Sequence, residues 1–132
     1  MKTYFVVTGV INHKDKILVL KKAPDDYNYP NKWGFCSGFI KEFEAAEDTV
    51  IREIREETGL KAKITKKANI FQIADKKLKK IWTVQCFLCT PSSDKVRLCH
   101  ENTEFRWIEP KELKNYPGVP GLKKDLKVLG LI

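Results

Sequence analysis

The sequence predicts an α+β fold, an α/β/α sandwich in which a mixed sheet carries one central helix and one C-terminal helix. Three observations predict it. Alternating β-rich runs occupy most of the chain on either side of residue 50. Between them, Glu44 to Thr58 is dominated by helix formers and is closed by Gly59. At the end, Leu122, Leu126 and Leu129 fall on one helical face. The 132 residues, 42% hydrophobic and 32% charged, fit one domain over 1–132 and exclude wholesale disorder.

The elements follow from local chemistry. Tyr4 to Ile11 and Lys16 to Lys21 read as strands separated by the hairpin turn Asn12-His13-Lys14-Asp15. The first run lacks a small-residue cleavage site and leads straight into charged residues, so it reads as a strand rather than a signal peptide. Ala23 to Lys32 holds two Pro, two Asp, two Asn and two Tyr without helical period, which predicts a surface loop. Trp33 to Phe39 is a short aromatic run before the helix. Ala62 to Ala74 and Leu78 to Thr90 predict a second pair of long strands around Asp75-Lys76-Lys77. Phe105 to Ile108 is a short strand, and Pro110 opens a helical turn at Lys111-Glu112-Leu113. No apolar run approaches the ~20 residues of a membrane helix, so a spanning protein is excluded and a cytoplasmic location expected.

Charge narrows the partners. Twenty-five basic against 17 acidic residues give a net charge of +8, a surface that favours polyanions such as nucleotides or nucleic acid. Only Arg52, Arg55, Arg97 and Arg106 are arginines, and this lysine bias speaks against a dedicated base reader built on guanidinium forks. The four cysteines are expected as reduced thiols, with Cys86 and Cys89 as buried core thiols. Cys86 and Cys89 lie three apart on a predicted strand, point to opposite faces, and are unsuited to a shared zinc ion.

The central helix carries the chemistry. At 100° per residue, Val50, Ile51 and Ile54 form its core stripe, and Glu53, Glu56 and Glu57 project together beside it. Three carboxylates on one patch repel, and in a basic protein the cluster makes best sense around a cation. All-oxygen donors suit Mg²⁺, Mn²⁺ or Ca²⁺, and Mg²⁺ is commonly completed by substrate phosphates. On helix composition alone, an exposed acidic face supported by Arg52 and Arg55 accounts for the pattern equally well.

The wider spacing decides between them. Gly38, five residues, Glu44, seven residues, and then Arg52-Glu53-Ile54-Arg55-Glu56-Glu57-Thr58-Gly59-Leu60 resembles the Nudix box with every fixed position filled. The resemblance implies an α/β/α fold and divalent-metal-dependent hydrolysis of a nucleoside diphosphate linked to another moiety. Carried over by position, Glu53, Glu56 and Glu57 look like the metal ligands, with the Gly38 carbonyl as a further one. Arg52 would hold these carboxylates, and Glu44 would brace the loop. The implied cofactor is Mg²⁺, with Mn²⁺ as its substitute. A carboxylate outside the box often adds a ligand or general base in this family; Glu101 and Glu104 are the candidates, Glu101 favoured by its similar spacing to MutT-like members.

Departures from the family pattern bear on substrate fit. Phe35-Cys36-Ser37 precedes the box where Phe-Pro-Gly is common, and Phe43 stands where Gly often does. Lys21 and Lys22 replace a frequent Arg and are candidate phosphate contacts, while Tyr27, Tyr29 and Phe35 are candidate base contacts. Tyr116-Pro117-Gly118-Val119-Pro120 lacks the Asn with which MutT-like enzymes read an oxidised guanine. The leading substrate is a (deoxy)nucleoside triphosphate cut to monophosphate and pyrophosphate, followed by ADP-ribose, nucleotide sugars or dinucleotides. A non-catalytic RNA- or nucleotide-binding domain is the competing reading, in which Lys76, Lys77, Lys79, Lys80 and Trp82 would meet a nucleic-acid backbone and base. The family also implies a homodimer by analogy.

Overall fold

The structure, a computed structural model, describes residues 1–132. Strand β1 (Lys2–His13) is its spine. It runs parallel to β7 (Lys80–Pro91), Lys2 opposite Lys80 through Ile11 opposite Cys89, and takes the antiparallel β4 (Cys36–Phe39) on its other edge. Lys14 and Asp15, at φ 50° and 64°, reverse the chain into β2 (Lys16–Lys22); the turn is two residues rather than the expected four, because Asn12 and His13 pair with Ile17 and Lys16 and extend the strand. β2 pairs with the short β3 (Trp33–Gly34) and with β8 (Asn102–Ile108).

Helices cover both faces. α1 (Ala46–Thr58) lays Val50 and Ile54 against Val7, Ile11, Leu18, Leu20 and Phe87. α2 (Leu122–Val128) closes the opposite face with Leu122 and Leu126, and Leu129 just beyond, against Val10, Ile17, Val19 and Phe35. Cys86 belongs to the α2-side cluster and Cys89 to the α1-side cluster, so the strand does turn them to opposite faces. Burial pushes both thiols up, Cys89 to about 12.

The chain departs from the sequence expectation at two further places. The run Ala62 to Ala74 is two strands, β5 (Ala62–Lys67) and β6 (Phe71–Asp75), both antiparallel to β7. The register slips between Ile64 and Lys66, and the gap is bridged by the Ala68 N–H donating to the Cys86 carbonyl at 3.0 Å and by Gln85 Nε2 donating to the Ala68 carbonyl at 2.6 Å. The helix starts at Ala46, which leaves Glu44 outside it in a loop where Phe43 adopts φ 61°. At the far end Gly59, at φ 73°, caps the helix by donating its N–H to the Arg55 carbonyl.

Gly9 sets the distance between β1 and α1. A Cβ there would lie 2.8 Å from Val50 Cγ2 and 3.0 Å from Ile54 Cδ1, both fully buried. Gly9→Ala is therefore expected to destabilise the fold by about 1–3 kcal/mol, read as a lower denaturant midpoint at unchanged slope.

Candidate active site

The sandwich brings β4, α1, the loop before β8 and the N-terminal part of α2 to one open cavity of ≈ 360 Å³. On the α1 side it is lined by Ser37, Gly38, Glu53, Glu56, Glu101 and Lys22. Tyr29, Phe39 and Trp82 form an aromatic wall, and Phe35, Val119, Leu122 and Asp125 complete the α2 side.

Arg52 organises the acidic side. Its Nε and Nη2 donate to the two oxygens of Glu44 at 2.8 and 2.9 Å, a bidentate fork. Its Nη1 donates to Glu53 Oε1 at 2.8 Å and to Glu56 Oε2 at 3.2 Å. Glu44 is held in turn by Thr49 Oγ1, which donates at 2.8 Å, and these contacts, Arg52 foremost, bring its carboxyl down to about 2. One loop acid outside the helix thus fixes the guanidinium that aligns two carboxylates within it.

Glu57 lies deepest, 4% exposed, and accepts the Ser37 N–H at 3.2 Å. Burial pushes its carboxyl well above the usual carboxylate range; the Glu53 charge adds to that, and Lys22 opposes it. Glu53 is raised mainly by burial too, against the pull of Arg52. Glu53, Glu56 and Glu57 are tethered by Arg52 and Ser37, and no three acidic, His or Cys groups converge on a common point. The donor chemistry still fits a hard divalent cation. These are oxygen ligands, and two partly or wholly buried carboxylates repel each other in a way that a cation relieves.

Gly38 is fitted to Glu53. A Cβ at this position would overlap the Glu53 carboxyl carbon and lie 2.5 Å from Oε1 and 2.6 Å from Cγ. Gly38→Ala is expected to leave the fold intact, since a flexible side-chain end gives way, and to displace the Glu53 carboxylate. A roughly 10²-fold loss of turnover with little change in melting temperature checks it.

The remaining sequence candidates divide. Lys22 lines the cavity, whereas its neighbour Lys21 is bound to Glu104 at 3.3 Å across β2 and β8. Glu101 lies at the cavity beside Glu53 and Glu56; Glu104 is committed to Lys21 and Arg106 instead. Tyr27 is 91% exposed and stands outside the lining. Phe35 borders the cavity from within the α2-side core, 4% exposed, so its ring is floor rather than a free stacking face. Tyr29 lines the cavity and is pinned. Its hydroxyl donates to Asp75 Oδ2 and accepts from Trp82 Nε1, both at 2.8 Å, and burial with the Asp75 bond pushes it up to about 12. Lys80 is drawn into the same cluster, its Nζ 2.6 Å from Asn28 Oδ1 and over the rings of Tyr4, Tyr27 and Trp82.

Sequence reasoning passed over Phe39 and Asp125. Phe39 gave no signal beyond hydrophobicity. Asp125 did give one, because it sits three residues after Leu122 and four before Leu129, on the apolar stripe itself.

Known proteins resemble this chain along its length. The family model described as NUDIX domain matches residues 2–127. A nucleoside triphosphatase NudI of Escherichia fergusonii is 26% identical over 141 residues, covering all of both chains, and one from an Escherichia coli O139:H28 strain is 25% identical with the same coverage. A NUDIX hydrolase from Nitrosomonas europaea superposes with a TM-score of 0.83 at 17% identity, covering 96% of this chain and 88% of its own. The MutT protein of Methanosarcina mazei does so at 0.80 and 22%, covering 93% and 88%. At these identities the solved structures establish the shared fold alone.

Proposed function

The chain belongs to the Nudix family of pyrophosphohydrolases, and from that premise we propose that it cleaves a nucleoside triphosphate to the monophosphate and pyrophosphate with a divalent cation, Mg²⁺ before Mn²⁺. The observation that carries this reading is one cavity lined by Glu53, Glu56, Glu101 and Lys22 and walled by Tyr29, Phe39 and Trp82. Such a cavity offers a polyphosphate site and a base site together. The relatives that match over the full chain are named nucleoside triphosphatases, which supports the same substrate class.

Glu53, Glu56 and Glu57, with the Gly38 carbonyl, are the groups that would hold the cation. A bound divalent ion neutralises polyphosphate charge and eases deprotonation of water. The chain's own residues do the rest. Arg52, fixed by Glu44, holds Glu53 and Glu56 on the cavity side of α1, from which their carboxylates would turn to a cation. Lys22 faces the transferred phosphate as a point charge. Glu101 takes the proton as the water oxygen bonds to phosphorus, the phosphoanhydride bond breaks, and pyrophosphate leaves with the bridging oxygen.

The aromatic wall argues against a nucleic-acid surface there, because Lys80 is turned inward onto Tyr4, Tyr27 and Trp82 and bonded to Asn28. The decisive experiment is product analysis on a panel of nucleoside triphosphates, ADP-ribose, dinucleoside polyphosphates and 5′-triphosphate RNA, with Mg²⁺ and with EDTA. Metal-dependent release of monophosphate and pyrophosphate is the expected result. Turnover confined to ADP-ribose or dinucleotides overturns the triphosphate assignment. RNA binding that is indifferent to EDTA, without turnover of any compound, overturns the reading as a whole.

A further inference from the structure

The loop between β2 and β3 is fastened at its tip. Residues 23–32 form neither helix nor strand, yet they are tied both to themselves and to a distant hairpin. Asp26 Oδ2 accepts the backbone N–H of Asn28 at 3.2 Å and that of Tyr29 at 2.9 Å, which folds the tip. These two residues then meet the hairpin of β6 and β7, where Asp75 and Lys80 stand opposite each other. Lys80 Nζ donates to Asn28 Oδ1 at 2.6 Å. The Tyr29 hydroxyl donates to Asp75 Oδ2 and accepts from Trp82 Nε1, both at 2.8 Å. Consecutive loop residues thus clasp facing strand residues.

Asp75 anchors this clasp from outside the cavity lining. Its Oδ1 accepts the Leu78 N–H at 3.1 Å, so the hairpin turn fixes the carboxylate. The carboxylate fixes the Tyr29 hydroxyl, and the hydroxyl fixes the Trp82 indole. All three residues are only half-buried, so burying a core does not explain the chain of bonds. Ordering a loop costs conformational entropy, and the clasp places that cost in the free protein instead of at the moment of binding. It also decides what the wall offers a ligand. Tyr29 Oη and Trp82 Nε1 are engaged with each other and with Asp75, which leaves ring surface for the cavity. Ring surface stacks on a base of any kind.

Resting on the function proposed above, we propose that Asp75 is a positioning residue for nucleotide binding: through the Tyr29 hydroxyl it holds the loop and the Trp82 ring as a preset stacking wall. Its influence falls on affinity and not on the chemical step, because the bonds of the clasp involve neither the acidic face of α1 nor Glu101. It is also the same for purines and pyrimidines, since the clasp leaves no polar atom of the two rings free to tell them apart.

The test is kcat and KM for ATP, GTP, CTP and UTP, measured separately in wild type and variants. Tyr29→Phe removes one oxygen and keeps the ring. It and Asp75→Ala should each raise KM about tenfold for all four substrates, with kcat within about threefold of wild type. The variant carrying both changes should match Tyr29→Phe alone, because either change already breaks the same chain. Asp75→Asn should recover most of the lost affinity, since its amide still accepts the Leu78 N–H and donates to the Tyr29 oxygen. Hydrogen exchange of the Trp82 indole N–H, assigned by NMR with Trp82→Phe, should quicken in Tyr29→Phe and Asp75→Ala and stay slow in Asp75→Asn. Additive KM changes in the double variant, or a raised KM with unaltered indole exchange in Asp75→Ala, would make Asp75 a stabiliser of the hairpin turn only and overturn the proposal. An unchanged KM would overturn it too. If wild type cleaves only ADP-ribose or dinucleotides, the KM for that substrate decides in the same way. If it cleaves no nucleotide, the functional reading fails and an AMP titration decides this one. A shift of the Trp82 indole resonance by AMP that needs about tenfold more AMP in Tyr29→Phe would support it, and no shift in wild type would overturn it.

Discussion

Glu57→Gln lowers nucleotide turnover by at least roughly 10²-fold and leaves the melting temperature unchanged or raised. The two halves of this expectation come from the same geometry. Glutamine fills the volume of Glu57 and still offers a carbonyl oxygen to the Ser37 N–H, which the glutamate accepts at 3.2 Å. What it removes is a buried negative charge next to that of Glu53. Without a cation that charge is a cost to the fold, so its loss does not destabilise it; with a cation it is a ligand, so its loss disables the site. The control lies on the same helix. Glu47 is exposed and ion-paired with Lys67 at 3.4 Å, and Glu47→Gln should leave turnover within twofold, because surface pairs of this kind contribute little. Side-by-side rates and melting curves decide it. Were the acidic face of α1 only a solvated surface, the two variants would behave alike.

The sequence made the site's catalytic side far more legible than its recognition side. The acidic helix, its Gly59 stop and the Gly38 and Glu44 spacing are local patterns, and a local pattern survives being read in one dimension. The same holds for the hairpin at Lys14 and Asp15. The break between β5 and β6 was hidden because its cause is remote, the Gln85 side chain and Cys86 carbonyl of another strand occupying the Ala68 backbone. The aromatic wall is remote in the same sense. Tyr29 meets Asp75 and Trp82 across 46 and 53 residues, and no spacing announces that encounter. Phe35 reads as a stacking candidate from its neighbours in sequence, yet the α2-side core absorbs its ring. Glu101 and Glu104 are equivalent by composition and are separated only when β8 pairs with β2 and hands Glu104 to Lys21. Asp125 is the instructive case, since helical periodicity alone marks it as a charge inside an apolar stripe.

That misplaced charge makes the second large prediction one of stability. Burial lifts the Asp125 carboxyl from 3.8 to about 7, with the Cys86 thiol opposing only in part. The folded protein therefore holds its proton over a range where the unfolded chain has released it. The favourable contribution of the neutral form is complete below pH 4 and is lost as pH rises towards 7. Over that window the folded state forfeits up to about 4 kcal/mol relative to a residue that does not titrate. Asp125→Asn does not titrate and keeps the side-chain shape. Its melting temperature should match wild type near pH 4 and exceed it by at least about 5 °C at pH 8. Measuring both proteins with EDTA at each pH cancels the contributions of Glu53 and Glu57, which they share. A constant difference across the range would mean that Asp125 is ionised throughout in the folded state. A gap that opens between pH 4 and 7 would show that wild type retains, at the wall of its cavity, a group that weakens the fold at neutral pH. Such a cost is maintained against easy replacement only when the group does something the fold itself does not require.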